Sequence, residues 1–154
     1  LNQSNAKSVV QVPAHETISA AAIYNDVNAA RVKTGVGALS QNPLAVKAAE
    51  ARCQDMVAND YYNHVNPKTG KKWSDVSEKI VPGGVLYGEN INEGGGLTNQ
   101  SYVDTWLGSP KHKANMLEPK FTDTGVAICH RVSQPADSLI IVQEFVEFMP
   151  QNVQ

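Results

Sequence analysis

Ser138-Leu139-Ile140-Ile141-Val142-Gln143-Glu144-Phe145-Val146-Glu147-Phe148 is apolar on both sides of an extended chain. Leu139, Ile141 and Phe145 fall on one face, and Ile140, Val142 and Val146 on the other. A strand of this kind needs cover above and below, because each face would otherwise hold its apolar side chains in water. Working back from it, residues 124–132 alternate, with Val126 and Ile128 on one face and Ala127 and Cys129 on the other. A link over Ser133–Asp137 makes the two runs a hairpin. A shorter strand is expected over Val85–Ile91, with Gly94-Gly95-Gly96 after it as a flexible connection. That glycine run has no lysine and no strand-to-helix setting, so it does not read as a phosphate loop.

The cover for such a sheet comes from helices earlier in the chain. From about His15 to Lys33 the spacing of Ile23, Val27 and Ala30 marks one helical face, and Gly35 and Gly37 end it. Asn42-Pro43 opens a second helix as N-cap and first-turn proline, with a buried stripe of Val46, Ala49, Cys53 and Met56. A short helix is expected over Trp73–Ile80. A further one covers Ser101–Leu107, with Val103, Trp106 and Leu107 inward, and restarts at Ser109-Pro110 to run to Leu117. Helices first and paired strands last give an α+β class, a three-layer α–β–α sandwich with a central antiparallel sheet. Residues 1–14 are expected to form an N-terminal arm ahead of a single domain over 15–150.

Bulk properties fit that domain and exclude several functions. The chain has 154 residues, enough to bury a core without relying on covalent staples. A formal net charge of -2 and no basic run beyond Lys71-Lys72 leave no footprint for nucleic acid. No apolar stretch is long enough to span a bilayer. The chain starts at Leu1 without a charged-then-apolar leader, so any export signal is expected to have been removed. The cysteines, Cys53 and Cys129, are compatible with one disulfide or with two thiols. A bond would close a loop of about 77 residues and contribute at most roughly 4–5 kcal/mol in the chain-entropy account.

Several short segments occur in a fixed order: Asn42-Pro43-Leu44, His64-Val65-Asn66-Pro67, Gly88-Glu89-Asn90-Ile91, Trp106-Leu107-Gly108-Ser109-Pro110-Lys111-His112, Asn115-Met116-Leu117, and Phe121 through Gly125-Val126. Each alone is weak. As an ordered set over about residues 15–148 they resemble the bacterial, SCP-like branch of the CAP superfamily, the cysteine-rich secretory, antigen 5 and pathogenesis-related proteins. The resemblance implies an extracellular α–β–α domain whose cleft is lined by two histidines and up to two acids. His64 corresponds to the first histidine, Glu89 to the acid of the Gly-Glu-Asn motif and His112 to the second histidine. The second acid of the eukaryotic pattern falls on Ser109, so the tetrad is incomplete.

The residues carry their own chemical reading. His112 lies at the third position of its helix, where the helix dipole disfavours imidazolium and keeps the ring neutral, the form that binds a metal or accepts a proton. Two imidazoles, with or without one carboxylate, suit Zn2+, with His64 and His112 as its expected ligands and no cofactor otherwise implied. Two protein ligands fall short of the three usual at catalytic zinc, so weak binding is expected. Glu89 is expected to orient a histidine, and Asn90 to fasten a loop. His15 and His130 join the cleft by no spacing argument. Catalytic residues are not assigned: no Gly-x-Ser-x-Gly elbow or His-Glu-x-x-His pair occurs, the Ser109 oxygen is expected to cap its helix, and Cys53 faces the core. Asn2-Gln3-Ser4 and Asn99-Gln100-Ser101 match the glycosylation pattern, which arises often by chance. Three functions therefore stand side by side. One is a non-enzymatic secreted module that binds a cation, a lipid or sterol, or an extracellular protein; the others are a metal-assisted hydrolase or peptidase, and a structural protein with a vestigial cleft.

Overall fold

A computed structural model describes residues 16–95, 98–131, 133–134 and 138–150. The expected N-terminal arm over 1–14 and His15 lie outside the described residues, as does part of the link between the last two strands. The elements run α1 (Ala20–Lys33), β1 (Ser40–Gln41), α2 (Pro43–Asn59), α3 (Trp73–Ile80), β2 (Leu86–Gly95), α4 (Asn99–Gly108), α5 (Pro110–Met116), β3 (Asp123–His130) and β4 (Ser138–Glu147). The sheet has the order β1-β3-β4-β2. β4 is central and antiparallel to both β2 and β3, which explains its apolar character on both faces. The α+β sandwich is as expected, with one change: the two residues of β1 pair parallel to β3, so the sheet is mixed.

Helix limits follow local chemistry. α1 starts at Ala20, later than expected, because the Ser19 side chain accepts from the Ala22 N–H (3.1 Å) and caps it there. Ser19 is extended, and the segment before α1 is tied to the start of α4, with the Ser19 N–H donating to Asn99 Oδ1 (2.9 Å). Asn99 itself is buried, so its glycosylation-like triplet offers no exposed acceptor. Asn42 caps α2 as expected, accepting from the Leu44 N–H at 2.9 Å. Its buried stripe is Ala45, Ala48, Ala49, Arg52, Cys53 and Met56, whereas Val46 is only half-buried. α4 begins at Asn99, two residues earlier than expected, because Thr98 caps it through the Ser101 N–H. Ser109 joins α4 to α5 by its backbone: its N–H donates to Trp106 O (3.1 Å) and its carbonyl accepts from Lys113 N (2.8 Å). Its hydroxyl makes no capping bond, contrary to expectation.

The strand β2 also corrects the reading of the glycines. Gly94 and Gly95 continue the ladder opposite Leu139 and Ser138, because the ten-residue β4 offers partners along its full length. The flexible connection expected at Gly94 and Gly95 is thus ordered strand. The outer edge of β2 is covered by side chains. Trp106 Nε1 donates to Ile91 O (3.1 Å), Asn115 Nδ2 to Glu89 O (3.2 Å) and the Tyr102 hydroxyl to Gly94 O (3.1 Å). Such cover keeps an edge strand from pairing with another chain.

α1, α4 and α5 pack on one face of the sheet through Ile23, Val27, Tyr102, Trp106, Met116, Val126, Ile141 and Phe145. α2 and α3 cover the other through Ala45, Ala49, Cys53, Met56 and Val81 against Ala127, Ile140, Val142 and Val146. α2 lies directly on the backbone of β3, where a Cβ at Gly125 would come within 2.1 Å of Val46 N. A glycine is required for that approach. Sulfur atoms of Cys53 and Cys129 lie 2.14 Å apart, joining α2 to β3 across 76 positions of sequence.

Candidate functional site

The cleft lies at the β2 edge of the sheet, where the segment after α2 meets α5. It has a volume of about 510 Å³ and is lined by His64, Trp73, Glu89, Lys111, His112 and Asn115, with Ala114 between the last two. The three expected residues therefore share one cleft. A groove of about 630 Å³ beside it, lined by Leu107, Pro110, Leu117 and Pro119 among others, holds no histidine.

His64 is held by the fold of its own loop. Asn66, buried at 2 % exposure, donates to both Asp55 oxygens (3.1 Å each) and accepts from the N–H groups of Lys68 and Thr69. On one side of His64, Arg52 Nη2 donates to Asn63 O (2.8 Å). On the other, the Trp73 N–H donates to His64 O (2.9 Å), which sets the indole beside the imidazole in the cleft.

Glu89 comes from β2 and faces α2, with its side chain fully buried. Arg52 Nε donates to Oε2 (2.7 Å) and Nη2 to Oε1 (3.3 Å), while His64 Nδ1 lies 2.7 Å from Oε1. Arg52 Nη1 donates to the Tyr61 hydroxyl (2.8 Å), which in turn donates to Asp55. Burial alone would raise the Glu89 pKa, but the bonds from His64 and Arg52 and the Arg52 charge outweigh it and hold the carboxyl below its ordinary value. With Glu89 ionised, the bond between the two puts a proton on His64 Nδ1.

His112 comes from the other layer. Asn90 Nδ2 donates to His112 O (3.0 Å), and Asn115 Nδ2 donates to Asn90 Oδ1 (3.0 Å) as well as to Glu89 O. The first turn of α5 is thereby fastened to β2, and Asn90 is the fastener its position suggested. The two imidazole centroids are 6.5 Å apart, with ring planes inclined at 52°. The His112 pKa is lowered, first by burial and then by the charge that His64 carries when protonated. The direction agrees with the expectation, but the cause is the cleft itself.

Four contributors were not anticipated. Arg52 was missed because an arginine on the buried stripe of an amphipathic helix reads as an interruption. Glu144 is a polar residue within an apolar strand; it stands opposite Glu89 in the ladder and is fully buried. Ser77, which donates to Glu144 Oε2 (2.7 Å), carried no local signal, and Asn115 stood in the ordered segments with no role assigned to it. Ser109 and His130 do not line the cleft. Among the described residues no group of three His, Cys, Asp or Glu side chains is placed to hold a metal ion. No helix among them is long and apolar enough to cross a membrane.

Comparison with known proteins bears on the family and the fold. The family model for CAP, the cysteine-rich secretory protein family, matches residues 24–145. YkwD of Bacillus subtilis (strain 168) is 35% identical over 102 residues, covering 64% of this chain and 38% of YkwD. Among solved structures, an extracellular protein containing a SCP domain from Bacillus anthracis str. Ames superposes with TM-score 0.69 and 25% identity, covering 81% of this chain and 39% of the other. An outer surface protein from Borrelia burgdorferi superposes with TM-score 0.71 over 82% of this chain and 90% of that one; at 19% identity it speaks for the fold alone. The chain spans under two-fifths of the curated relatives it matches.

Proposed function

Because the chain belongs to the CAP family of cysteine-rich secretory proteins, we propose that it is an extracellular, non-enzymatic binding module whose cleft takes a divalent cation through His64 and His112. The observation that carries this reading is how the polar groups are spent. Both Glu89 oxygens are engaged by Arg52 and His64 behind the cleft, which leaves the two imidazoles as its donors. A carboxylate behind a histidine fixes ring and tautomer and raises the basicity of the other nitrogen. A second imidazole held neutral by burial adds a second lone pair. Two neutral imidazoles suit zinc among common divalent ions.

The same arrangement weighs against hydrolysis. A general base works best with a pKa near the working pH. Glu89 is held ionised below the ordinary carboxylate range, so it is a weak acceptor for a proton from water. Two protein ligands also fall short of the three usual at catalytic zinc. Extracellular placement draws on the solved neighbour from Bacillus anthracis, an extracellular protein containing a SCP domain.

Calorimetric titration with zinc near neutral pH tests the reading. The parent is expected to bind with a dissociation constant on the order of micromolar, about 8 kcal/mol. His64→Ala/His112→Ala is expected to lose that binding while remaining folded, as its circular dichroism would show. Equal zinc binding by parent and double variant would overturn the proposal.

A further inference from the structure

Behind the cleft lies a second carboxyl that the binding reading does not use. Glu144 of β4 stands directly opposite Glu89 of β2 in the ladder, and neither side chain reaches solvent. Like charges facing each other across a sheet are destabilising even at a surface, and more so without water. The charged and titratable groups around the pair are few. Arg52 on α2 makes its hydrogen bonds to Glu89, Tyr61 and Asn63, and His64 meets Glu89. From α3, the uncharged Ser77 hydroxyl donates to Glu144 Oε2. The remaining oxygen, Glu144 Oε1, is buried and receives no hydrogen bond from any N–H or hydroxyl. Directly across the ladder from it stands the buried Glu89 carboxyl. Two carboxylates cannot bond to each other without a proton between them.

We infer that Glu144 is a neutral carboxylic acid that donates a hydrogen bond to Glu89, and that this bond makes it a positioning residue for the Glu89–His64 pair. A proton on Glu144 removes the like-charge contact, gives the orphaned oxygen a partner, and leaves Arg52 facing a single ionised carboxylate. Burial and then the Glu89 charge both favour the protonated form of Glu144, in agreement with the geometry. Glu89 thus receives bonds from Arg52, His64 and Glu144, and has no freedom to turn away from His64. The consequence reaches the cleft as a tautomer: His64 keeps its proton on Nδ1 and presents the Nε2 lone pair.

Infrared difference spectroscopy in D2O at neutral pH, parent minus Glu144→Gln, tests the protonation state. The C=O stretch of an un-ionised carboxylic acid is expected in the difference. Its absence would overturn the inference. Nitrogen-15 NMR of the imidazoles tests the positioning role. The glutamine amide can donate to Glu89 as the acid does, so Glu144→Gln is expected to keep His64 in the Nδ1–H form. Glu144→Leu, which cannot donate, is expected to give a tautomer mixture. A parental His64 spectrum in Glu144→Leu, or a disturbed one in Glu144→Gln, would reject the positioning role. Zinc affinity is expected to be unchanged in Glu144→Gln and to weaken about tenfold in Glu144→Leu, the scale of losing an outer-shell partner. These spectra do not depend on zinc, so a parent that binds no metal would sink the proposed function and leave Glu144 to be decided separately. If Glu144→Leu does not fold, the infrared difference and the Glu144→Gln spectrum still decide.

Discussion

Against one face of the sheet, α1, α4 and α5 set Ile23, Val27, Trp106 and Met116 on Val126, Ile141 and Phe145. Against the other, α2 and α3 combine small residues, Ala45, Ala48 and Ala49, with Arg52 and Ser77, which meet Glu89 and Glu144. The first face gains most of its stability from apolar area, and its buried cation, Arg31, donates to the carbonyls of Gly37, Met116 and Glu118 and meets no buried carboxylate. The second holds a buried cation and two carboxyls, for which desolvation is costly and geometry has to compensate. The difference teaches where stability and chemistry are divided. One face can be repacked at modest cost, and the other cannot lose a partner without leaving a charge or a proton misplaced. The cleft sits where the two meet, taking His64 from the segment after α2 and His112 from α5.

The largest expected effect is on the polar face. Cys53→Ala/Cys129→Ala is expected to lower stability by about 4 kcal/mol, the loop-entropy scale for this separation. Urea unfolding measures it, and a thiol count on the unfolded, unreduced parent is expected to give zero. Two free thiols would remove this covalent tie from the comparison. Of similar size is Arg52→Met, which leaves Glu89 buried without its cation and is expected to cost about 3–5 kcal/mol. A loss below roughly 1 kcal/mol would mean that the ion pair does not distinguish the faces. On the apolar face, Ile141→Val removes one methylene and is expected to cost only about 1 kcal/mol.

The smallest effect sharpens the contrast through pH. Glu144 has its folded pKa raised above the unfolded value, so its contribution is fully present below the unfolded pKa and is lost as pH rises through the folded one. The melting temperature of the parent is therefore expected to fall relative to Glu144→Gln as pH rises above the ordinary carboxylate range. Parallel curves for the two proteins would place the proton elsewhere. Ile141→Val is expected to show the parental pH profile.

Much of this fold was legible before any coordinates, because the signals are local. The two-sided apolar run of β4 required two covering layers. Asn42-Pro43 marked the start of α2 through a side chain and a ring that act within one turn. Ordered short motifs placed His64, Glu89 and His112 in one cleft. Signals that failed were those overridden by partners far along the chain: Gly94 and Gly95 became strand because β4 runs beside them, and α1 was shortened where Ser19 and Asn99 meet.

The sequence by itself determined the class and the layers, since periodicity and caps act over a few residues, and the family resemblance pointed to the three residues of the cleft. Only the tertiary structure decided what Glu89 does. Its partners Arg52 and Glu144 lie 37 residues before it and 55 after it. A carboxylate takes its charge and its role from what it meets in a dry interior, and spacing along the chain does not encode that meeting.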